Sequence, residues 1–344
     1  MKFSPIILSI SLLWSLSACQ ELLIGDPVPN TIMDNYQTFV DDYADHYGIF
    51  QVKQVNWDSL AMEYEAQLSA NATNAGLFNA ITGLQGELND SHIFLYAPDH
   101  DPVFYRSGIM GVLDRADYQD FDFELVLNQY LSLTDSVNDI IYYGTVENNL
   151  GYIYLPQIFD EPSFFEKQMP EILASLADTK GLIIDIRDND GGEDESSRMI
   201  ASFFADQRHL YAITRYKIGP GTDDFEPARE WYVSPNAEGT YSKPIVLLTN
   251  RFSISAGETF SLAMKTFPNV IQVGDTTTGA FSDVITRELP NGWIYGLSVG
   301  DYRDGNNMSL EGIGLAPDIR IVNTEAELQA GQDRMLERAI QELQ

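Results

Sequence analysis

Two short apolar runs, each followed by a turn and then a helical pattern, constrain the fold of this chain more than any other feature. Leu182–Ile186 and Ile245–Thr249 are almost continuously apolar, and helical patterns follow them at Glu193–Ala205 and Ala256–Phe267. A strand that is apolar on both faces is typical of a sheet covered by helices on both sides. We therefore predict an α/β fold.

Composition indicates a folded protein and excludes one class of partner. Of the 344 residues, 44% are hydrophobic and 12% are aromatic, which is too apolar for a disordered acidic chain. The chain has 51 Asp and Glu against 20 Lys and Arg, so its formal net charge is −31. A nucleic-acid-binding protein needs a basic face to neutralise phosphates, and we expect no nucleic-acid partner.

The amino terminus has the pattern of a bacterial lipoprotein. A basic start and a short apolar stretch predict a signal peptide over residues 1–18, and Leu16-Ser17-Ala18-Cys19 resembles the motif whose cysteine is lipidated. The alternative is an ordinary secretory peptide that happens to contain the single cysteine of the chain. We expect a tether over residues 19–30, a membrane anchor through Cys19 and a location in the bacterial cell envelope. The outer membrane is favoured, and its face is left open.

The rest of the chain divides by pattern into four segments. We predict an N-terminal helical domain over residues 31–91, a β-rich connecting segment over 92–150, the α/β core over 151–323 and a C-terminal helix over 324–344. The remaining elements expected are helices at Thr31–Tyr47, Asp58–Leu68, Asn74–Leu88 and Ser163–Ala177, and strands at Ile93–Tyr96, Phe121–Leu127, Ile140–Tyr143, Gly151–Leu155, Val270–Val273, Val284–Leu289 and Trp293–Val299.

Ser255 lies where the second apolar run passes into its helix. A serine at a helix start has free backbone N–H groups beside it and the positive end of the helix dipole behind it, which suits an oxyanion. The same residues, Ser255-Ala256-Gly257-Glu258, also form the sequence of a capping box, with Ser255 at the N-cap and Glu258 at the third helical position. From this segment alone, the catalytic and the purely structural interpretations both stand.

The first apolar run ends in a comparable turn, Asp185 to Gly192. Its two terminal glycines allow a close backbone approach and N–H groups that face an anion. An ordinary acidic turn neutralised by Arg187 is the alternative. A calcium loop starting at Asp188 is excluded, because the position that requires glycine is Glu193.

A serine nucleophile needs a base whose pKa is near neutrality, and the chain has four histidines. They are His46, His92, His100 and His209. No pair of them has the spacing of a helical zinc site, and we expect no metal and no cofactor. His92 stands between a predicted helix and a predicted strand, although any single histidine is more often structural.

Four motifs in order resemble the C-terminal-processing and tricorn-like serine peptidase family. Residues 88–92, Leu-Asn-Asp-Ser-His, are similar to the family's Leu-x-Asp-x-His. Residues 185–192 resemble its Asp-x-Arg-x-Asn-x-Gly-Gly turn, and residues 250–258 resemble its nucleophile segment. Residues 311–318, Glu-Gly-Ile-Gly-Leu-Ala-Pro-Asp, are similar to its closing Gly-x-Gly-x-x-Pro-Asp block.

The resemblance implies a crotonase-like mixed α/β core and a set of site residues. Many family members use a Ser–Lys dyad, but the matching position here is Ala280. The chain is therefore more similar to the tricorn-type branch with a Ser-His-Glu site. The implied catalytic residues are Ser255, His92, Glu311 and Ser91, and the implied oxyanion hole is formed by Gly191, Gly192 and Ala256. About 50 residues separate the histidine motif from the core, too few for the PDZ domain of some members, so we expect none.

The resemblance implies a serine endopeptidase whose substrate is a peptide or protein, and together with the lipobox-like sequence it predicts a lipid-anchored one. An inactive peptide- or ligand-binding lipoprotein on the same scaffold is the main alternative, and a carbohydrate-processing lipoprotein is a weaker one. The net negative charge further suggests that the pKa of His92 is raised. Substrate preference and oligomeric state are left open.

Overall fold

The computed structural model describes residues 29–69, 72–113, 115 and 118–344. The predicted signal peptide, Cys19 and all but the last two residues of the predicted tether lie outside the described residues. The helices are α1 Ile32–His46, α2 Phe50–Lys53, α3 Trp57–Ser69, α4 Asn74–Leu88, α5 Ile109–Val112, α6 Phe123–Leu125, α7 Pro162–Ser175, α8 Asp194–Ser202, α9 Ala256–Met264, α10 Glu325–Gln329 and α11 Arg334–Glu342. The strands are β1 Phe94–Tyr96, β2 Phe104–Arg106, β3 Leu133–Val137, β4 Ile141–Val146, β5 Leu150–Tyr154, β6 Leu182–Asp185, β7 His209–Tyr216, β8 Arg229–Val233, β9 Ile245–Thr249, β10 Val270–Gly274, β11 Val284–Glu288, β12 Ile294–Ser298, β13 Gly300–Asp304 and β14 Ile319–Arg320.

A seven-stranded sheet in the order β14-β10-β9-β6-β5-β4-β3 forms the centre of the molecule. Neighbours from β14 to β5 are parallel, whereas β4 and β3 add antiparallel hairpins at one edge. Because β6 and β9 are parallel neighbours, the turns that follow them leave the same edge of the sheet. The predicted mixed α/β fold is confirmed.

Both faces of this sheet are covered, as the continuous apolar runs predict. On one face, Ile184 of β6 and Leu247 of β9 pack in a cluster with side chains of α7, α8 and α9. On the other face, Ile183 and Val246 pack against α11. Successive residues of β6 therefore enter opposite cores, and none can be polar without a partner.

The N-terminal helices share their core with strands from much later in the chain. A second sheet in the order β11-β12-β1-β2 lies against α1, α3 and α4. Trp293, Tyr295 and Leu297 join the helical residues in one buried cluster, and the hydroxyl of Tyr43 donates to the carbonyl of Gly296 at 2.9 Å. A third sheet has the order β13-β7-β8. No helix among the described residues is long and apolar enough to cross a membrane.

Two predicted elements are wrong. Phe121–Leu127 was expected as a strand but contains α6 and the start of a π-helical turn, Val126–Tyr130. The side chain of Asp122 caps the start of α6 by accepting the N–H of Leu125. The single C-terminal helix expected over Glu325–Leu343 is two helices. Gly331 has a φ of +80° between them, a conformation that glycine adopts without strain.

Arg187 joins the end of β6 to the start of α11 inside the protein. Its guanidinium is fully buried and pairs with Asp185 at 2.6 Å and with Asp333 at 2.8 Å. It also lies over the ring of Phe121, 4.2 Å from the centroid. Arg187 therefore does more than neutralise an acidic turn, because it compensates two carboxylates that have no access to water.

We expect the Arg187→Met variant to lose about 3–5 kcal/mol of unfolding free energy, because two buried carboxylates would lose their cation. Urea unfolding followed by circular dichroism measures this change. The matched control is Arg338→Met, whose guanidinium pairs with Glu342 at 2.6 Å on a partly exposed helix surface. The control should lose no more than about 0.5 kcal/mol. Equal losses in the two variants would contradict this account of Arg187.

Candidate active site

The turns after β6 and β9 are bound to each other by side chains. The amide oxygen of Asn250 accepts the N–H of Asp188 at 2.9 Å, and its amide nitrogen donates to the Asp188 carboxylate at 2.7 Å. The hydroxyl of Ser253 donates to the carbonyl of Ile186 at 2.7 Å. Asn250 was not singled out by sequence reasoning. Its place at the end of an apolar strand, opposite an acidic turn, was the available signal.

Ser255 adopts a strained backbone conformation at the start of α9. Its φ of 56° and ψ of −120° are rare for a residue other than glycine. The ordinary caps of this chain differ, since Thr31 and Thr324 have φ near −100° and ψ above 150°. Part of the predicted capping box is present, because the N–H of Ser255 donates to Glu258 at 3.2 Å. Capping alone does not require the strain, whereas a nucleophile presented on a sharp strand-to-helix turn does.

Glu258 fixes the Ser255 turn to a neighbouring loop. Its buried carboxylate accepts the hydroxyl of Thr277 at 2.5 Å and the N–H groups of Gly279 and Ala280 at 2.7 and 2.8 Å. Burial raises the pKa of Glu258 to about 7, and these hydrogen bonds oppose the rise. Ala280, where the dyad lysine of many relatives would stand, thus contributes its backbone to the support of Ser255.

Two backbone N–H groups that have no acceptor among the described residues are that of Gly192, which lines the same cavity as Ser255, and that of Ala256, which follows Ser255 in the chain. The N–H of Gly191 differs from the expectation, because it donates to the side chain of Asn189 at 2.9 Å. Gly191 is needed for another reason. A side-chain carbon there would lie 2.8 Å from the Cβ of Ser255. The arrangement can therefore supply two oxyanion donors, Gly192 and Ala256.

Of the four histidines, all of which lie in the described part of the chain, His92 lines the same cavity as Ser255. The cavity measures about 570 Å³ and includes Gly192 in its lining. The backbone N–H of His92 donates to Asp90 at 2.8 Å, and the buried Nδ1 atom of its ring has no partner among the described residues. His100 instead stacks on Phe78, and His209 contacts Asp206.

The hypothesis that the pKa of His92 is raised is wrong in direction. Burial lowers the pKa of the imidazole, the Asp90 carboxylate opposes this, and the Arg106 guanidinium adds to the lowering. Desolvation penalises the charged form locally and outweighs the field of distant exposed carboxylates, which salt screens.

We therefore expect the acidic limb of reactivity at Ser255 to lie below about pH 6.5, the ordinary pKa of histidine. An imidazolium cannot accept a proton, so the rate falls as pH decreases through the lowered pKa of His92. The pseudo-first-order rate of inactivation by an uncharged fluorophosphonate, measured from about pH 4 to 9, reports this limb. A limb above pH 7 that moves with ionic strength would support the raised pKa instead.

Glu311 lies in a buried ion pair. Its carboxylate is 2.8 Å from the ammonium of Lys53 and accepts the N–H of Phe281 at 2.7 Å. Burial and the nearby Asp90 carboxylate raise the pKa of Glu311, while Lys53 opposes the rise. No hydrogen bond joins Glu311 to His92 among the described side chains. Lys53, which also donates to the carbonyl of Asn89, was not predicted and lies on the short helix α2.

Ser91 is buried next to the loop that follows β2. Its carbonyl accepts the Nε–H of Arg106 at 3.0 Å, and the N–H of Met110 lies 3.4 Å from its hydroxyl. Arg106 and Met110 both line the cavity. Within the described part of the chain, no group of three or more His, Cys, Asp or Glu residues is arranged to hold a metal ion.

Comparisons with known proteins agree with the motifs. The model of peptidase family S41 matches residues 149–321, which is half of the chain. The chain is 24% identical over 184 residues to the carboxy-terminal processing protease CtpA of Bacillus subtilis, covering 53% of this chain and 37% of that protein. It is 26% identical over 198 residues to the tricorn protease of Thermoplasma volcanium, covering 56% of this chain and 17% of that protein. The chain thus spans well under half the length of these relatives.

Solved structures share the fold over most of the chain. A structure from Parabacteroides merdae, described as a candidate peptidase, superimposes with a TM-score of 0.77 at 28% identity and covers 92% of this chain and 97% of its own. Mature CPAF superimposes with a TM-score of 0.68 at 12% identity, covering 90% of this chain and 96% of its own, a likeness of fold alone.

Proposed function

The chain belongs to peptidase family S41, and from this premise we propose that it is a serine peptidase that hydrolyses peptide bonds of protein substrates. Ser255 is the nucleophile and His92 the general base. The observation that carries the proposal is that Ser255, His92 and Gly192 line a single cavity although they are far apart in sequence. The strained conformation of Ser255 supports the same assignment.

The proposed reaction has two proton transfers in each half. His92 accepts the hydroxyl proton of Ser255 while the Oγ atom of Ser255 bonds to the substrate carbonyl carbon. The π electron pair of the carbonyl moves to the carbonyl oxygen. The N–H groups of Gly192 and Ala256 stabilise this oxyanion, each by about 3 kcal/mol. The oxyanion then re-forms the carbonyl as the carbon–nitrogen bond breaks, and His92 gives the proton to the leaving amine. In the second half, His92 accepts a proton from the water that attacks the acyl carbon and returns it to the Ser255 oxygen as the ester bond breaks. Hydrogen bonds between nucleophile and base commonly tighten only when substrate is bound.

Glu311 and Ser91 act in this proposal as positioning residues. The Glu311 carboxylate accepts the N–H of Phe281. The next two residues, Ser282 and Asp283, line the cavity. The ion pair of Glu311 with Lys53 connects this loop to α2. Ser91 precedes His92 and accepts a hydrogen bond from Arg106, a second residue of the cavity wall. The Ser-His-Glu site of the tricorn-type branch thus remains part of the proposal, without a direct bond from Glu311 to His92.

We further propose that Cys19 carries a lipid that anchors the protein in the bacterial cell envelope, on the support of the lipobox-like sequence. The wild-type protein should partition into the detergent phase of a Triton X-114 extraction, and the Cys19→Ser variant into the aqueous phase, because the variant has no thiol to lipidate. Mass spectrometry of the mature amino terminus identifies the lipid. Equal partitioning of the two proteins would contradict the anchor.

Labelling with a fluorophosphonate probe tests the peptidase proposal. The full-length protein should incorporate one probe molecule, and mass spectrometry should find it on the peptide that contains Ser255. The Ser255→Ala variant should incorporate none. A wild-type protein that does not react would refute the catalytic proposal and favour the alternative, a peptide-binding lipoprotein on the same scaffold.

A further inference from the structure

The cavity next to Ser255 has an acidic wall whose carboxylates differ in how they are neutralised. Five carboxylates and two guanidinium groups line it, a ratio no higher than that of the whole chain, so their number carries no argument. Their pairing does. Asp190 pairs with Arg115 at 2.7 Å, and Glu195 pairs with Arg198 and Arg229. Among the described residues, Glu193, Asp194 and Asp283 have no Lys or Arg nitrogen within 4 Å.

One phenol lies between two of these unneutralised carboxylates, those of Asp194 and Asp283. The hydroxyl oxygen of Tyr302 is 2.8 Å from Asp194 Oδ2 and 3.0 Å from Asp283 Oδ2. A phenol has one proton to donate, so it cannot satisfy both carboxylates together. Tyr216 donates to Asp283 at 2.6 Å. The pair thus keeps acceptor capacity that faces the cavity.

The proposed base lines the same cavity and has a ring atom without a partner. The Nδ1 atom of His92 is buried without a hydrogen bond among the described residues, and 92% of the residue is removed from solvent. The unpartnered imidazole and the unneutralised carboxylates therefore line one space, the cavity that a substrate bound at Ser255 would occupy.

The acidic wall lies close to the proposed oxyanion donors. Asp194 begins α8, two residues after Gly192, and its Oδ1 accepts the hydroxyl of Thr259, in the first turn of α9 after Ser255, at 2.7 Å. The substrate residue that supplies the attacked carbonyl carries its side chain one carbon away from that carbonyl. We place this side chain in the part of the cavity that is lined by Gly192 and Asp194.

We propose that this substrate residue is arginine or lysine and that its cationic group binds between Asp194 and Asp283. This inference rests on the proposed function. A guanidinium offers five donors in a planar fork, enough to bond both carboxylates at once with charge-assisted hydrogen bonds. An acidic side chain at the same place would be repelled.

The protonation of Asp194 is consistent with this arrangement. Burial raises the pKa of Asp194 to about 6, the Thr259 hydrogen bond lowers it, and the neighbouring Asp283 carboxylate raises it. A bound cation would lower this pKa again, because it favours the ionised form.

The first experiment digests a peptide library, prepared from a proteome with a glutamate-specific protease, with the full-length protein and its Ser255→Ala variant. New amino termini are identified by mass spectrometry. Arginine and lysine should be enriched on the amino-terminal side of the cleavage sites that only the wild type makes. Absence of enrichment there, or enrichment on the other side, would overturn the inference and leave the peptidase proposal intact. Absence of all Ser255-dependent cleavage would refute the peptidase proposal itself.

The second experiment compares one cleaved sequence that carries arginine at this position with the same sequence carrying citrulline, which is isosteric and uncharged. We expect kcat/KM to be at least about 100-fold higher for arginine. Asp194→Asn and Asp283→Asn should each lower the arginine value about tenfold or more. The control variant Asp178→Asn also removes one negative charge, but before the start of β6, at the end of that strand far from the site. This control should not lower kcat/KM for the arginine peptide. Equal kcat/KM values for the two peptides would overturn the inference.

Discussion

The Ser255→Ala variant should hydrolyse peptides with a kcat/KM at least about 10⁴-fold below that of the wild type, because it loses the oxygen atom that we propose as the nucleophile. Its unfolding free energy should change by less than about 1 kcal/mol, since alanine keeps the Cβ atom and adds no new backbone strain. Initial rates with a fluorogenic peptide and thermal unfolding measure the two quantities.

Ser261→Ala is the matched control for this variant. Ser261 lies on the same helix, and its hydroxyl donates to the carbonyl of Gly257 at 2.8 Å, away from the cavity lining. The control should keep kcat/KM within about tenfold of the wild type. A Ser255→Ala variant that retains a tenth of the wild-type rate would contradict the assignment of the nucleophile.

The His92→Ala variant should lose kcat/KM on the order of 10⁴-fold, because no described side chain is placed to replace the base. The double variant with Ser255→Ala should be no slower than Ser255→Ala alone, since groups that act in one proton transfer have non-additive effects. The measurement is the double-variant cycle in kcat/KM.

His100→Ala serves as its control. His100 stacks on Phe78 with ring centroids 3.8 Å apart and does not line the cavity. Its removal should cost some stability but less than tenfold in kcat/KM. Additive losses in the double variant would show that His92 and Ser255 act separately.

The central sheet was predictable because its pattern is local. The continuous apolar runs at Ile245–Thr249 and Leu182–Ile186 report strands buried on both faces, and the structure has strands there. Strands β7, β8 and β13 were not predicted. They mix polar and aromatic residues and are partly exposed, so no period stands out. Nor could helical periodicity reveal that Trp293 and Tyr295 complete the core of the N-terminal helices.

The sequence motifs predict residues that the structure brings into one cavity, but they do not predict all the bonds of those residues. Motifs that precede and follow the strands identified Ser255, His92 and Gly192, which line one cavity. The use of the Gly191 N–H by Asn189, and the pairing of Glu311 with Lys53, depend on distances between segments that spacing does not encode. The direction of the His92 pKa shift also depends on burial, which net charge cannot report.

The most direct test of the proposed active site is a crystal structure of the protein after reaction with a fluorophosphonate. The phosphorus should be bonded to the Oγ atom of Ser255. Its phosphoryl oxygen should lie about 2.7–3.1 Å from the backbone nitrogens of both Gly192 and Ala256. An adduct on another residue, or a phosphoryl oxygen that neither N–H group reaches, would contradict the site proposed for this chain.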